Sequence, residues 1–484
     1  MDDVELRFPD GFLWGTATAA YQVEGGITNN DWWAWEQQPG RIRGGQRAGL
    51  ACNWWERAEE DFDRAQAMGQ NAHRLSLEWS RLEPRRGEWN DAAFARYRQM
   101  LAGLRQRGLT PVVTLWHFTT PLWLAELGGW ENPDILGYFE RFARRVVEEL
   151  GEQAQMWCPV NEPAAYAVLA YYDTRFPPGR PGFWRAMRVT RHLLMGHAAA
   201  YRAIHALQPA ARVGTVSNMF AAEPLNPAAP GDRLVAGFAD RLQNRLPHEA
   251  IVSGRMGWPL GNGRTPGMAG RADFLGVNYY TRYRFRLDWR RPAHSFEALT
   301  TPGAEVSDLG YGEIYPPGMY HVLMLAGSYA RRLGKPIIVT ENGLPDADDD
   351  ARPRFLLTHL AQVWRAIQAG APVQGYFHWS LIDNFEWADG YDMRFGLIEV
   401  DFATQARRMR RSGELYAEIC RANAITSEMA RRYAPAALSD LQAAWRSAKP
   451  IISPALAPAT RCRTRSLHVR YNAVARLVRG RASR

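Results

Sequence analysis

The chain predicts a single closed (β/α)8 TIM barrel of the α/β class, with long βα loops and a basic C-terminal extension. Eight apolar, strand-like runs alternate with amphipathic helical stretches, the pattern of parallel strands joined by right-handed crossovers. The runs end in polar or aromatic residues that an apolar barrel core would not select. The stretches between strand and helix are long at 163–183, 281–318 and 380–410, on the face where barrel enzymes keep their chemistry. An open doubly wound sheet is the alternative, but no G-x-G-x-x-G follows a strand-like run.

Taken in order, Phe12–Ala17 is the first strand and Trp54–Met68 its helix. Ala72–Trp79 is the second, followed by a helix over Ala92–Arg107 with apolar residues at Phe94, Tyr97, Leu101 and Leu104. Thr110–His117 is the third, with Ile135–Leu150 behind it. The fourth run, Met156–Val160, stops at Asn161-Glu162-Pro163, where proline breaks the element. A long helical region spans Trp184–Leu207, and Arg212–Asn218 and Asp273–Tyr280 are the fifth and sixth strands. The seventh, from Pro336, is β-branched and apolar until it meets Glu341 and the Asn342-Gly343 turn signal. Val373–Trp379 is the eighth. The alternation ends near Ile425, which divides the chain into a barrel over 1–424 and an extension over 425–484 that is partly helical or disordered. Ser427–Ser447 has helical character, and 450–458 is rich in Pro and Ala.

An apolar share of 46% and a charged share of 23% describe a chain with a substantial core and exclude overall disorder. The net charge of +9 is concentrated in the extension. Residues 425–484 carry 12 Lys and Arg against two acidic residues, leaving 47 basic against 48 acidic in residues 1–424. The barrel therefore offers no electrostatic footprint for nucleic acid. Cys52, Cys158, Cys420 and Cys462 are scattered without metal-type spacing and read as reduced thiols. The N-terminus is acidic, without a signal-like apolar region, and no run of about 18 apolar residues occurs. These features predict a cytoplasmic protein that is neither secreted nor bound to a membrane.

The polar strand ends are Gln22, Arg74, Trp116-His117, Asn161-Glu162, Asn278 with Tyr280, Glu341 and Trp379. Singly, each has an ordinary structural explanation. Together at one end of one barrel they describe a pocket of hydrogen-bonding groups and indole faces, which suits a sugar ring. Two carboxylates in such a pocket point to glycoside hydrolysis, one protonated to donate to the departing oxygen, the other attacking the anomeric carbon or activating water. Arg74 is positioned to hold Glu341 ionised, while the neutral neighbours of Glu162, Asn161 and the tryptophans, keep its proton in place.

Seven ordered motifs resemble glycoside hydrolase family 1, the β-glucosidase clan, over roughly residues 6–423. They are Phe8–Gly25, Arg74–Arg81, Leu115–Phe118, Asn161–Pro163, Asn278–Thr281, Thr340–Gly343 and Trp379–Trp387. The resemblance implies a retaining mechanism with Glu162 as acid/base and Glu341 as nucleophile. It further implies that Arg74, Tyr280 and Asn278 support the nucleophile. Gln22, His117, Asn161, Glu386 and Trp387 match the residues that hold the sugar hydroxyls, and Trp379 matches the one that stacks beneath the ring. The loop from Glu386 to Gly396 lacks the Ser/Lys/Tyr pattern of the 6-phospho-β-glycosidases, and Glu386 would repel a 6-phosphate. The acidic loop 341–354 and the basic extension depart from the family pattern.

The expected activity is exo-acting, retaining hydrolysis of terminal β-D-glucosyl residues from a small β-glycoside or oligosaccharide, with galactosides and fucosides as further substrates. No metal or organic cofactor is expected, since the carboxylates supply acid, base and nucleophile. A transglycosylase of the same fold and an inactive sugar-binding barrel are the alternatives.

Overall fold

A computed structural model describes residues 3–291 and 295–448. Eight parallel strands close into a barrel in sequence order: β1 (Leu13–Ala17), β2 (Ala72–Ser76), β3 (Thr110–Trp116), β4 (Met156–Val160), β5 (Arg212–Pro224), β6 (Phe274–Phe285), β7 (Ile337–Asn342) and β8 (Val373–Trp379), with β8 returning to pair β1. Every residue of β2, β4 and β7 is buried, as strands covered by helices outside and side chains inside must be.

The covering helices carry the expected apolar stripes. Along Ile135–Leu150 the buried positions Phe139, Phe142, Val146 and Leu150 recur at helical spacing. Asn90 caps Asp91–Gln106 by accepting from the Ala93 amide at 3.1 Å. The helix Pro316–Leu333 starts on prolines and stops at Gly334, whose φ of +64° suits the left-handed exit.

Two strands run further than their sequence suggests. β5 and β6 were expected to end at Asn218 and Tyr280, yet they stay paired out to Pro224 and Phe285. The reason is a small separate apolar cluster of Val235, Ala236, Ala239 and Phe285, which covers the extension and makes continued pairing favourable. The segment 380–410 doubles back as a two-stranded antiparallel sheet, Ile398–Val400 with Arg407–Met409.

The barrel's alternation stops near residue 425, and the described chain continues to pack beyond it. Ala424–Thr426 pairs antiparallel with Glu5–Arg7, and the helices Ser427–Tyr433 and Leu438–Ala448 follow. Ile425 and Leu441 are fully buried, and Trp445 lies 6.0 Å from Trp364 of the helix Arg352–Gln368. The rest of the basic extension, residues 449–484, lies outside the described residues. Leu441→Ala is expected to lower the unfolding free energy by about 2–5 kcal/mol, the usual cost of a core leucine deletion. A loss below about 1 kcal/mol in chemical denaturation would show this last helix to be loosely seated.

Candidate active site

The strand register sets the site. Asn218 of β5, Asn278 of β6 and Glu341 of β7 lie abreast of one another, and Ala17 of β1 lies abreast of both Arg74 of β2 and Trp379 of β8. Residues opposite each other on neighbouring strands project to the same side, so these groups share the carboxyl end of the barrel. Two irregularities refine the aim. β7 accommodates the extra residue Thr340 against β6, and β6 accommodates an extra residue in Tyr280-Thr281 against β5.

Glu341 is 3% exposed and held on both oxygens. The buried Arg74 guanidinium donates to Oε1, and the Tyr280 hydroxyl donates to Oε2 at 2.7 Å. Arg74 also donates to Asn161 Oδ1 at 2.6 Å, and the Asn161 amide lies 3.2 Å from His117 Nε2. Burial and the Arg74 charge push the His117 pKa well below its usual value, so the ring is neutral. With Nε2 accepting from Asn161, the proton rests on Nδ1.

Glu162 has φ +44°, a left-handed conformation that costs a non-glycine residue on the order of 1 kcal/mol or more. Its amide donates to the Val216 carbonyl at 3.0 Å, and Pro163 then begins the helix Pro163–Tyr171, so Glu162 is pinned between strand and helix. Phe118 and Trp387, immediately after His117 and Glu386, are also left-handed. Burial raises the Glu162 pKa to about 8, the Glu341 charge adds to the rise, and the Asn278 amide opposes it. Glu162 thus stays protonated near neutrality, but its partners differ from those expected. Asn278 and Asn218 donate to Oε1 at 2.6 and 3.3 Å, and the charge of Glu341 contributes where only neutral neighbours were foreseen.

Around one pocket the structure brings together His117, Asn161, Glu162, Tyr280, Glu341, Trp379, Glu386 and Trp387. Arg74, Gln22 and Asn278 stand behind these, each hydrogen-bonded to at least one of them. Gln22 Nε2 and Trp379 Nε1 both donate to Glu386 at 3.1 Å. Burial drives the Glu386 carboxyl well above its usual pKa despite these donors. The His117 ring stacks at 6.0 Å from Trp379 and 6.1 Å from Trp387. Asn278 was grouped with the supports of Glu341, but its amide serves Glu162, while its Oδ1 accepts from Thr340. The reason is the register. Thr340 in the β7 irregularity occupies the carbonyl end of Asn278 and turns the donor end across the pocket.

Asn218 was missed as a site residue, although it ends a strand-like run and the rule that found the others applies to it. Asn384, which accepts from Gln22 at 2.8 Å, and the pocket residues Arg175, Phe176, Tyr311, Asp389, Met393 and Phe395 come from long loops, where periodicity marks no position, while Leu169 comes from the helix Pro163–Tyr171. The site can present one proton donor and one arginine-bound carboxylate to the same ligand. Replacing Glu341 by Gln should lower the Glu162 pKa below about 8, because a charge that favours the protonated form is removed. Carboxyl titration by infrared difference spectroscopy reads this directly; an unchanged pKa would mean burial alone sets it.

The sequence profile of glycosyl hydrolase family 1 matches residues 4–425. The chain is 31% identical over 448 residues to a β-glucosidase A from Thermotoga maritima, covering 87% of this chain and 99% of the relative. It is 31% identical over 509 residues to a β-galactosidase from Pyrococcus woesei, covering 87% and 98% respectively. Among solved structures, a β-glycosidase from Pyrococcus horikoshii superposes with a TM-score of 0.82 at 39% identity, covering 89% of this chain and 98% of that one. Profile match, relatives and fold all span nearly the whole described barrel, and by them the chain belongs to glycosyl hydrolase family 1.

Proposed function

We propose that the protein is an exo-acting, retaining β-glycosidase that releases terminal β-D-glucosyl residues by double displacement. The observation that carries this reading is the asymmetry of the two buried carboxyls: Glu162 keeps its proton to about pH 8, while Glu341 is clamped by Arg74 and Tyr280. In the first step Glu341 attacks the anomeric carbon as Glu162 passes its proton to the glycosidic oxygen, and the aglycone departs as an alcohol. Forming the ester removes the Glu341 charge that helped raise the Glu162 pKa. Glu162, now a carboxylate, is left in surroundings that favour ionisation more than before. It then takes a proton from water, which attacks the same carbon and frees the sugar and Glu341.

Gln22, His117, Asn161, Glu386 and Trp387 are assigned to the hydroxyls of the departing sugar, with Trp379 against its ring face. These hydrogen bonds strengthen as the ring flattens, so they act on the barrier as well as on binding. The paired carboxyls favour an enzyme over an inert sugar-binding barrel. Galactosides and fucosides are proposed as additional substrates, supported for galactosides by the relative named a β-galactosidase. Among the described residues Cys52, Cys158 and Cys420 are buried free thiols, which supports a cytoplasmic setting. No helix among the described residues is long and apolar enough to cross a membrane.

Glu341→Gly is expected to reduce p-nitrophenyl β-glucoside hydrolysis by roughly 10³-fold or more. Azide should then restore turnover with the α-glucosyl azide as product. Full activity in Glu341→Gly would sink the mechanism. In the wild type, kcat/KM should fall as pH rises through about 8, because Glu162 loses the proton it must donate. A basic limb centred two units lower would assign the acid to another group.

A further inference from the structure

β5 runs on past the end of its neighbour β4, and the backbone groups it turns toward that side need partners. Alternate residues of a strand offer their amide and carbonyl to opposite neighbours, and Val216 faces β4, since its carbonyl accepts from the Glu162 amide at 3.0 Å. Asn218 and Phe220 therefore face the same way. β4 cannot meet them, because it ends at Val160 and the chain leaves through Glu162 into the helix Pro163–Tyr171.

Gln243 and Asn244 meet them instead. Gln243 Nε2 donates to the Asn218 carbonyl at 3.0 Å. Asn244 Nδ2 donates to the Phe220 carbonyl at 2.8 Å, and Asn244 Oδ1 accepts from the Phe220 amide at 3.2 Å. Both side chains are buried on a π-helical turn, Arg241–Arg245, between the helices Pro230–Asp240 and Leu246–Ser253. The Leu246 amide reaches back five residues to the Arg241 carbonyl, and Pro247 has no amide hydrogen to offer the Gln243 carbonyl. This wider turn lets two consecutive residues face one strand.

We infer that Gln243 is a positioning residue for Glu162: by holding the Asn218 carbonyl it keeps the Asn218 amide on Glu162 Oε1, and so governs how readily that carboxyl gives up its proton. This rests on the reading of Glu162 as the general acid. The Asn218 contact is 3.3 Å long, so a small shift of the strand breaks it, whereas the 2.6 Å bond from Asn278 is held separately through Thr340. An amide donor favours the ionised carboxyl, and its loss raises the pKa of Glu162.

The charges acting on Glu162 are Glu341 of β7 and Arg74 of β2. Tyr280 and Tyr283 of β6 and Tyr311 of the following loop interact with it, and burial raises all three hydroxyls, which stay neutral. His117, neutral, lines the same pocket, as do Glu386 and the mouth pair of Arg175 and Asp389. On the π-helical turn Asp240 pairs with Arg245. None of these groups bonds to Gln243.

Infrared difference titration of the full chain reads the effect without substrate, with Glu162→Gln separating the Glu162 band from that of Glu386. Gln243→Met removes the donor at similar length, and the Glu162 pKa should rise by roughly 0.5–1 unit. Asn218→Ala, on the pocket wall, should raise it at least as far, and Gln243→Met should then add less than about 0.2 unit. An unmoved or lowered pKa in Gln243→Met, even with lost thermal stability, would overturn the inference and leave Gln243 as a strand clamp. Should that variant fail to fold, an unmoved pKa in Asn218→Ala would overturn it, and additive shifts in the double variant would do so too. Hydrolysis of p-nitrophenyl β-glucoside by the wild type tests the underlying reading separately. Hydrolysis without the shift overturns this inference alone, and a wild type that cleaves no β-glycoside overturns the general-acid reading together with the role given to Gln243.

Discussion

The buried pair of Arg74 and Glu341 is the constraint on which the rest of the site depends. An arginine with no solvent exposure is tolerable only beside a compensating charge, because removing one partner of such a pair typically costs about 3–5 kcal/mol. The pair spans the barrel from β2 to β7, so two strands far apart around the ring must keep their relative height. From Arg74 the network passes to Asn161 and His117, and from Glu341 to Tyr280. One ion pair thereby fixes the positions of three polar groups from three other strand ends.

The carboxylates are made unequal by the same arrangement. Glu341 receives the cation; Glu162 receives amides and burial, together with the field of Glu341 itself. Their coupling means the protonation state of one changes with that of the other, so on the proposed mechanism a single carboxyl would act first as acid and then as base without moving. The left-handed backbone at Phe118, Glu162 and Trp387 is the local strain that accompanies this aim, and the packed aromatic rings around them hold it in place.

The outer mouth follows a different logic. Its arginines, Arg43 and Arg175, are about half exposed and meet the less exposed Asp389 in ion pairs of small individual worth. The conformation there depends on side chains such as Phe176 seated deep among Trp32 and Trp387. Rigid anchors beneath a solvated rim allow specificity to vary without disturbing the buried pair.

The sequence alone determined the eight-strand barrel and most of the strand-end residues, because both are written in local patterns. Apolar runs broken by Asn161-Glu162-Pro163 or Glu341-Asn342-Gly343 announce where strands stop, and side chains at strand ends of a closed barrel must share one face. Asn218 was legible by the same rule. Only the tertiary structure decided that Asn278 serves Glu162, that β5 and β6 extend to Pro224 and Phe285, and that residues 424–448 pack onto the body. It also brought Arg43, Arg175 and Asp389 together from loops as many as 346 residues apart. Those outcomes turn on register shifts of one residue and on contacts between distant loops, and neither leaves a periodic trace along the chain.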